Sequence, residues 1–194
     1  MRLPTPHSKR LIGASAMACA GLLAAAVSLA VTTFPAAAAT ATAPACTPSQ
    51  LVVWLNSTGS GTAGATYYAI QFTNVSAQTC SIIGYPGVSG LSHSGALLGT
   101  AASRNNAHKT FSITLAGTTT SNTLSNTAIA VLKITDVAAY SKATCVPVTA
   151  SGLRVYPPGQ KASSVIPFPF RACSKSGPTY LSVESVEGGV AAAG

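Results

Sequence analysis

Residues 67–73 have the sequence Tyr-Tyr-Ala-Ile-Gln-Phe-Thr, which contains the clearest secondary-structure pattern of the chain. Tyr68, Ile70 and Phe72 alternate with the residues between them, and a period of two places successive side chains on opposite faces of a β-strand. The pattern therefore predicts a strand that has one face in the core and the other toward solvent.

Short segments of similar character, bounded by turn residues, occur on both sides of this strand. They lie at residues 50–55, 79–83, 96–100, 109–115, 128–135, 153–156, 163–168 and 180–186. Segment 50–55 is apolar at nearly every position, which predicts a strand buried on both faces. Residues 56–64 are rich in Ser, Thr and Gly and predict a turn. In segment 109–115 the alternation predicts that Phe111 points inward.

Evidence for helices is thin beyond the N-terminal region. Only residues 135–142 have a composition that suits one or two helical turns, because no window keeps the apolar spacing of an amphipathic helix. About eight or nine short strands separated by turns predict an all-β fold. The specific expectation is an antiparallel, immunoglobulin-like β-sandwich.

The first 39 residues have the order of a secretory signal peptide. Arg2, Lys9 and Arg10 precede a charge-free apolar stretch, and the small residues 36–39 follow it. A membrane anchor is the alternative, since an apolar run of roughly 20 residues is long enough to span a bilayer. The many alanines and the interrupting hydroxyl residues favour cleavage after Ala39. We therefore predict a secreted protein, extracellular or associated with the cell wall, with no stable membrane insertion after cleavage.

Cleavage at this point divides the chain into four parts. The signal peptide comprises residues 1–39, a short flexible start comprises residues 40–45, and a single β-sandwich domain comprises residues 46–187. Residues 188–194 are predicted to be a disordered tail.

Four cysteines remain after cleavage, namely Cys46, Cys80, Cys145 and Cys173. An even number of cysteines in an exported chain predicts two structural disulfides. A zinc site is disfavoured because the chain contains no Cys-x-x-Cys spacing. Four cysteines allow three connectivities, which the count alone does not distinguish.

The charge of the chain is positive but dispersed. Of 11 basic residues three leave with the signal peptide, so the remaining eight and the three acidic residues give a net charge of +5. The basic residues form no run and no stripe, which disfavours nucleic acid as a partner. Attraction to anionic cell-wall polymers is one interpretation, and a charge that merely keeps the surface soluble is the other.

Two parts of the chain resemble a known family. Residues 64–74, followed by Cys80 and by Gly84-Tyr85-Pro86-Gly87-Val88, resemble the actinobacterial secreted domain-of-unknown-function family numbered 4232. The chain also resembles the C-terminal half of that family at Cys145, at the run Leu153-Arg154-Val155-Tyr156-Pro157-Pro158-Gly159 and at Cys173. The resemblance implies an extracellular β-rich domain behind a signal peptide or a lipid anchor, and it brings no established activity.

Each half of the resembling pattern contains two of the four cysteines. Pairs that are close in sequence also tie neighbouring strands together. We therefore predict that Cys46 pairs with Cys80 and that Cys145 pairs with Cys173.

Residues for acid–base chemistry are scarce in the cleaved chain, which has only His93, His108, Asp136, Glu184 and Glu187. His93 lies in a turn-like segment, and no Gly-x-Ser-x-Gly motif is present, so a solvent-exposed histidine is favoured over a hydrolase triad. Two histidines and three carboxylates are also too few for a zinc or calcium site. We predict no catalytic residue, no cofactor and no metal.

The predicted function is a non-catalytic extracellular module that binds a protein, a cell-wall polymer or a small ligand. Trp54 and Tyr67 are the candidate aromatic pair for a sugar platform, although the apolar neighbours of Trp54 are typical of a core residue. A secreted protease inhibitor is the alternative, with residues 90–109 as its candidate loop. A hydrolase is the third hypothesis, and the shortage of acids and bases disfavours it.

Overall fold

The computed structural model describes residues 42–119 and 125–189. The predicted signal peptide and residues 190–194 of the predicted tail lie outside these residues. Two short 3-10 helices occupy Pro48–Gln50 and Val137–Ala139. The strands are β1 (Leu51–Thr62), β2 (Ala65–Asn74), β3 (Cys80–Ile82), β4 (Gly87–Leu91), β5 (Leu97–Leu98), β6 (Ser103–Arg104), β7 (Ile113–Leu115), β8 (Thr127–Thr135), β9 (Pro147–Tyr156), β10 (Ser164–Cys173), β11 (Leu181–Val183) and β12 (Glu187–Gly188).

Two larger sheets and one small sheet contain these strands. The first sheet has the order β1-β2-β8-β11-β6, with β12 also paired to β8, and the second has the order β10-β9-β4-β5. The small sheet consists of β3 and β7. Strand pairs within the sheets are antiparallel except for β6 with β11, which is parallel. The predicted all-β, antiparallel-rich fold is therefore confirmed.

One hydrophobic core lies between the two larger sheets. Ile70 and Leu132 contribute to it from the first sheet, and Val88, Leu153 and Val155 contribute from the second. All five are at most 1% exposed. Two sheets that bury alternate residues against each other form a β-sandwich.

The strand order agrees with an immunoglobulin-like arrangement and departs from it at one place. The second sheet corresponds to strands G-F-C-C′ of that fold, and β1-β2-β8 corresponds to A-B-E. The position beside strand E, where strand D would lie, is occupied by β11 from the C-terminal end of the domain. β11 thus takes the position of strand D in the first sheet, and β6 lies beyond it.

Both disulfides have the predicted partners. Cys46 is bonded to Cys80 with an S–S distance of 2.06 Å, and Cys145 is bonded to Cys173 at 2.04 Å. The first bond ties the start of the domain to β3, and the second ties the segment before β9 to the end of β10. The bonded cysteines are 34 and 28 residues apart in sequence. Because each disulfide restricts the unfolded chain, it is expected to stabilise the folded protein by about 3 to 4 kcal/mol.

The β1–β2 hairpin corrects two predictions. Residues 56–62 belong to β1 rather than to a turn, because Ser60, Gly61 and Thr62 pair with the start of β2. The turn is shortened to Ala63 and Gly64. Gly64 has a φ of +80°, a backbone conformation that residues other than glycine rarely adopt. β1 is also not buried on both faces, since it lies at the edge of the first sheet and exposes Val52 and Trp54 by 48% and 43%.

Two further segments differ from their predictions. Phe111 does not point inward but is 64% exposed, because β7 begins only at Ile113. Residues 90–109 do not form a single loop, since they contain β5 and β6.

The structure describes parts of both predicted chain ends. Ala43 and Pro44, in the predicted flexible start, accept hydrogen bonds from Ser81 through their carbonyl oxygens. Gly188, in the predicted tail, pairs with Ala128. These contacts place both described ends against the sandwich.

Candidate functional site

The side chains of the first sheet that point away from the core form a surface that we call the outer face. It contains Val52, Trp54, Tyr67, Ala69, Gln71, Ile129, Val131, Lys133 and Ser182. Alternation along each strand produces it, because Ile70, Phe72, Leu132 and Ile134 occupy the opposite, buried positions. The outer face is the surface that the sequence pattern of β2 predicted to face solvent.

Trp54 is the most prominent aromatic residue of the outer face. Its side chain is 43% exposed, and its indole Nε1 donates a hydrogen bond of 3.2 Å to the Thr73 hydroxyl. The Thr73 hydroxyl is in turn 3.0 Å from the hydroxyl of Thr127. This chain of contacts satisfies the indole N–H while leaving part of the ring accessible to a ligand.

Tyr67 lies on the same face, some distance from Trp54. Trp54 is paired with Gln71, and Tyr67 is four residues from Gln71 along β2. At about 3.4 Å per residue the two aromatic positions are roughly 14 Å apart. The small side chain of Ala69 lies between them. Two aromatic residues separated by a position with a small side chain suit an extended ligand better than a compact one.

A polar cavity of about 440 Å³ opens at the Tyr67 end of the outer face. Lys133 brings a positive charge to its lining, and Glu184 brings a negative charge. Arg104 also lies in the lining, but its guanidinium group is over the ring of Tyr85, 5.7 Å from the ring centroid. Asn105 donates a hydrogen bond of 3.1 Å to the Glu184 carboxylate. The cavity therefore combines the ring of Tyr67 with the ammonium group of Lys133, and that group can attract an anionic ligand.

Gln71 is the outer-face residue that is most deeply enclosed. It is 1% exposed, and its Oε1 atom has no hydrogen-bond partner among the described residues. Trp54 and Ile129 are its neighbours on the adjacent strands. A buried carbonyl oxygen without a partner costs free energy, so Gln71 is an energetically unfavourable residue on this face.

The five candidate acid–base residues do not form one site, although three of them line the same cavity. His93 is exposed in the turn between β4 and β5, and Asp136 caps the 3-10 helix Val137–Ala139 by accepting the N–H of Ala138 at 2.9 Å. His108 does lie near Glu184 and Glu187, since all three line an open cavity of about 240 Å³. Within residues 42–119 and 125–189, no three His, Cys, Asp or Glu side chains are grouped so that they could hold a metal ion.

Another cavity, of about 340 Å³, lies at one open side of the sandwich. Tyr68 and Phe170 line it, and Asp136 and Arg171 add opposite charges. Phe168 connects the aromatic residues, with ring centroids 4.9 Å from Tyr68 and 6.0 Å from Phe170. These rings are part of the packing between the sheets, which makes the cavity primarily a feature of the core edge.

Tyr180 is a buried titratable residue with a structural role. Its hydroxyl donates a hydrogen bond of 2.9 Å to the carbonyl oxygen of Leu98, and its ring lies near Gly90 and Gly99. A Cβ atom at Gly90 would lie 2.7 Å from the hydroxyl, so only glycine fits there. Burial raises the pKa of Tyr180 from 10.0 to about 12.

The family model described as a domain of unknown function, DUF4232, matches residues 46–187. The chain belongs to this family. The matched residues include both disulfides and all twelve strands except Gly188 of β12, so the DUF4232 domain is the whole sandwich. No curated protein and no solved structure matches the chain. Within the described residues of this DUF4232 chain, no helix is long and apolar enough to cross a membrane.

Sequence reasoning identified part of the outer face and missed the rest. Trp54 and Tyr67 were recognised as a pair, but Lys133, Arg104 and Gln71 were not. Lys133 carried a usable signal, because it is the one charged residue in the apolar segment 128–135 and alternation places it opposite the buried positions. Arg104 carried no such signal, since the parallel pairing of β6 with β11 brings it to the site.

Proposed function

We propose that this DUF4232 domain is a secreted, non-catalytic binding module that holds an extracellular, anionic cell-wall polymer on its outer face. The observation that carries the proposal is the exposed indole of Trp54 on a sheet face. Sugar rings stack their C–H faces on such aromatic surfaces, and the tethered N–H of Trp54 keeps the ring oriented.

The polymeric nature of the ligand is supported by the spacing of the site. Trp54 and Tyr67 lie on one face at positions roughly 14 Å apart, a span that several linked units fill more completely than one. The cavity with Lys133 begins where Tyr67 ends the row. A polymer whose sugar units carry phosphate or carboxylate groups matches the aromatic and the charged parts together.

Export and the absence of catalysis are parts of the same proposal. The two disulfides suit an oxidising compartment, and the sequence pattern of residues 1–39 predicts a signal peptide for export. His93 and His108 are exposed, Asp136 is engaged at the N-terminus of a 3-10 helix, and the cavity that His108 shares with Glu184 and Glu187 is open. General acid–base catalysis requires a positioned pair of such groups, whereas binding by stacking and charge does not.

The test is a binding assay with insoluble cell walls, before and after chemical removal of their phosphate-containing polymers. We expect the oxidised protein to sediment with the complete walls and to be released as salt screens the charges. Trp54→Ala should raise the Kd about tenfold or more, since exposed tryptophans are frequent binding hot spots. Lys133→Ala should weaken binding chiefly at low salt.

Val165→Ala is the matched control, because Val165 is 60% exposed but lies on β10 of the second sheet. It should bind as the unchanged protein does. Equal binding by Trp54→Ala and the unchanged protein would contradict the proposal, and so would equal binding to stripped and complete walls. Release of soluble sugar during the incubation would contradict the non-catalytic part.

A further inference from the structure

Among the described residues, the two larger sheets have five edge strands, counting β12 beside β8, and four of them are protected against pairing with another chain. Edge strands expose unpaired backbone groups, and natural proteins protect them by short length, proline, bulges or charge. β5, β6 and β12 have two residues each. β10 contains Pro167 and Pro169, and its pairing with β9 is irregular between Pro167 and Phe170.

β1 is the remaining edge, and residues 51–56 lack these protections. The strand has twelve residues, none of which is proline or charged. Its pairing with β2 is regular over residues 51–56 and becomes irregular only between Asn56 and Ser60. A regularly paired, uncharged segment of six residues is therefore left at the edge of the first sheet.

The direction of the backbone groups follows from one hydrogen bond. The N–H of Val75 donates to the carbonyl oxygen of Gln50 at 2.9 Å, which makes these two residues a hydrogen-bonded pair. Antiparallel ladders alternate, so the backbone groups of Val52 and Trp54 point toward β2. Those of Val53 and Leu55 consequently point to the free edge, where they are available to another strand.

We propose that this edge pairs antiparallel with the same edge of a second copy of the chain, with Val53 opposite Val53 on the two-fold axis. The pairing is self-complementary because residues 51–62 contain no charge that would repel its own copy. The rest of the described chain has an excess of basic residues, which elsewhere opposes self-association.

This register also covers exposed apolar side chains. Val52 of each copy lies opposite Trp54 of the other, and these residues are 48% and 43% exposed in the single chain. Pairs of an aromatic and a β-branched residue across strands are stabilising. The dimer would join the two outer faces and place the two Trp54 residues diagonally, about 7 to 8 Å apart. One long ligand can then contact both copies, which raises its overall affinity.

The test measures self-association of the oxidised, exported chain by sedimentation velocity over a range of concentrations, without any polymer. Val52→Glu is the primary variant, since it removes two Val–Trp contacts and places two carboxylates near the axis. We expect it to raise the dimer Kd about tenfold or more. Val165→Glu is the matched control, because Val165 is 60% exposed on the protected edge β10. It should change the dimer Kd by less than about twofold.

A second measurement examines the edge directly. Amide hydrogen exchange of Val53 and Leu55 should slow as concentration rises, whereas the amides of Val52 and Trp54 should be protected at all concentrations. Val53→Pro removes the N–H at the free edge without removing a bond to β2, and it should abolish this association. A chain that stays monomeric up to roughly 1 mM overturns the proposal. A dimer that Val52→Glu and Val165→Glu weaken equally also overturns it.

Discussion

The two faces of the β2–β8 pair differ in what they contribute to the protein. On the inner face Ile70, Phe72 and Leu132 are fully buried and pack against the second sheet. On the outer face Tyr67 and Lys133 are half-buried, and they line a cavity. Alternate residues of the same strands thus supply stability on one side and a binding surface on the other. Substitutions on the two faces are therefore expected to separate folding from binding.

Two buried amide side chains on β2 show the same difference at the level of single atoms. Asn74, on the inner face, donates to the carbonyl oxygens of Gln78 and Ala116 at 2.7 and 3.0 Å and accepts the N–H of Ser76. Gln71, on the outer face, has an Oε1 atom with no partner among the described residues. The hydrogen-bonded amide of Asn74 therefore stabilises the folded state, whereas the unpaired oxygen of the Gln71 amide lowers its stability.

The largest effect is expected for Phe72→Ala on the inner face. The substitution should lower the free energy of unfolding by about 3 to 5 kcal/mol, because it removes a fully buried ring and leaves a cavity. Tyr67→Ala on the outer face of the same strand is the control and should cost less than about 1 kcal/mol. Urea denaturation measures both. Similar losses for the two variants would contradict the division between the faces.

Asn74→Ala should lower the free energy of unfolding by about 2 to 3 kcal/mol. It leaves the buried carbonyl oxygen of Ala116 without its donor and releases the turn held by Ser76. Asn105→Ala, at an exposed asparagine, should change stability by less than about 0.5 kcal/mol. The same denaturation experiment applies, and equal effects of the two variants would show that burial of the Asn74 amide is unimportant.

Alkaline pH should weaken the contact between the sheets at Tyr180. The pKa is about 12 in the folded protein and 10.0 in the unfolded chain, so the unfolded chain loses its proton first. The contribution to stability is complete below about pH 10 and falls as pH rises toward 12, by about 2 kcal/mol. The Tyr180→Phe variant should lack this part of the loss of stability at alkaline pH. Parallel stability curves of the two proteins across this pH range would disprove the assignment.

The smallest effect, and one of opposite sign, is expected for Gln71→Leu. A leucine of similar size removes the unpaired oxygen and keeps the contact with Trp54 and Ile129, so the protein should gain about 1 kcal/mol. Thermal melting measures the change. A loss of stability would mean that the Gln71 amide has a favourable role in the unliganded protein.

The sequence predicted the strands that have strong alternation and placed others poorly. β2 and β8 were found with boundaries within two residues, because a buried face imposes a regular pattern on their composition. The second half of β1 was missed because Ser, Thr and Gly are typical of turns, and only pairing with β2 holds them extended. Phe111 was placed inside because alternation alone does not show where a strand begins.

The candidate site was partly predictable for similar reasons. Trp54 and Tyr67 could be paired because they lie on consecutive strands, but the apolar neighbours of Trp54 pointed to the core. The exposure of Trp54 results from the edge position of β1, which is a property of the sheet order. Arg104 reaches the Tyr67 cavity only through the pairing of β6 with β11.

Local chemistry and periodicity thus determined the all-β class, the family pattern, the pairing of the cysteines close in sequence and the inner face of β2. Each depends on residues that are near one another in the chain, where a two-residue period or a turn is visible directly. The tertiary structure alone decided which strand lies at an edge, which charges gather beside Tyr67 and that β11 takes the position of strand D in the first sheet. Those features join segments as far apart in sequence as Tyr67 and Glu184, and long-range packing, rather than local propensity, selects such contacts.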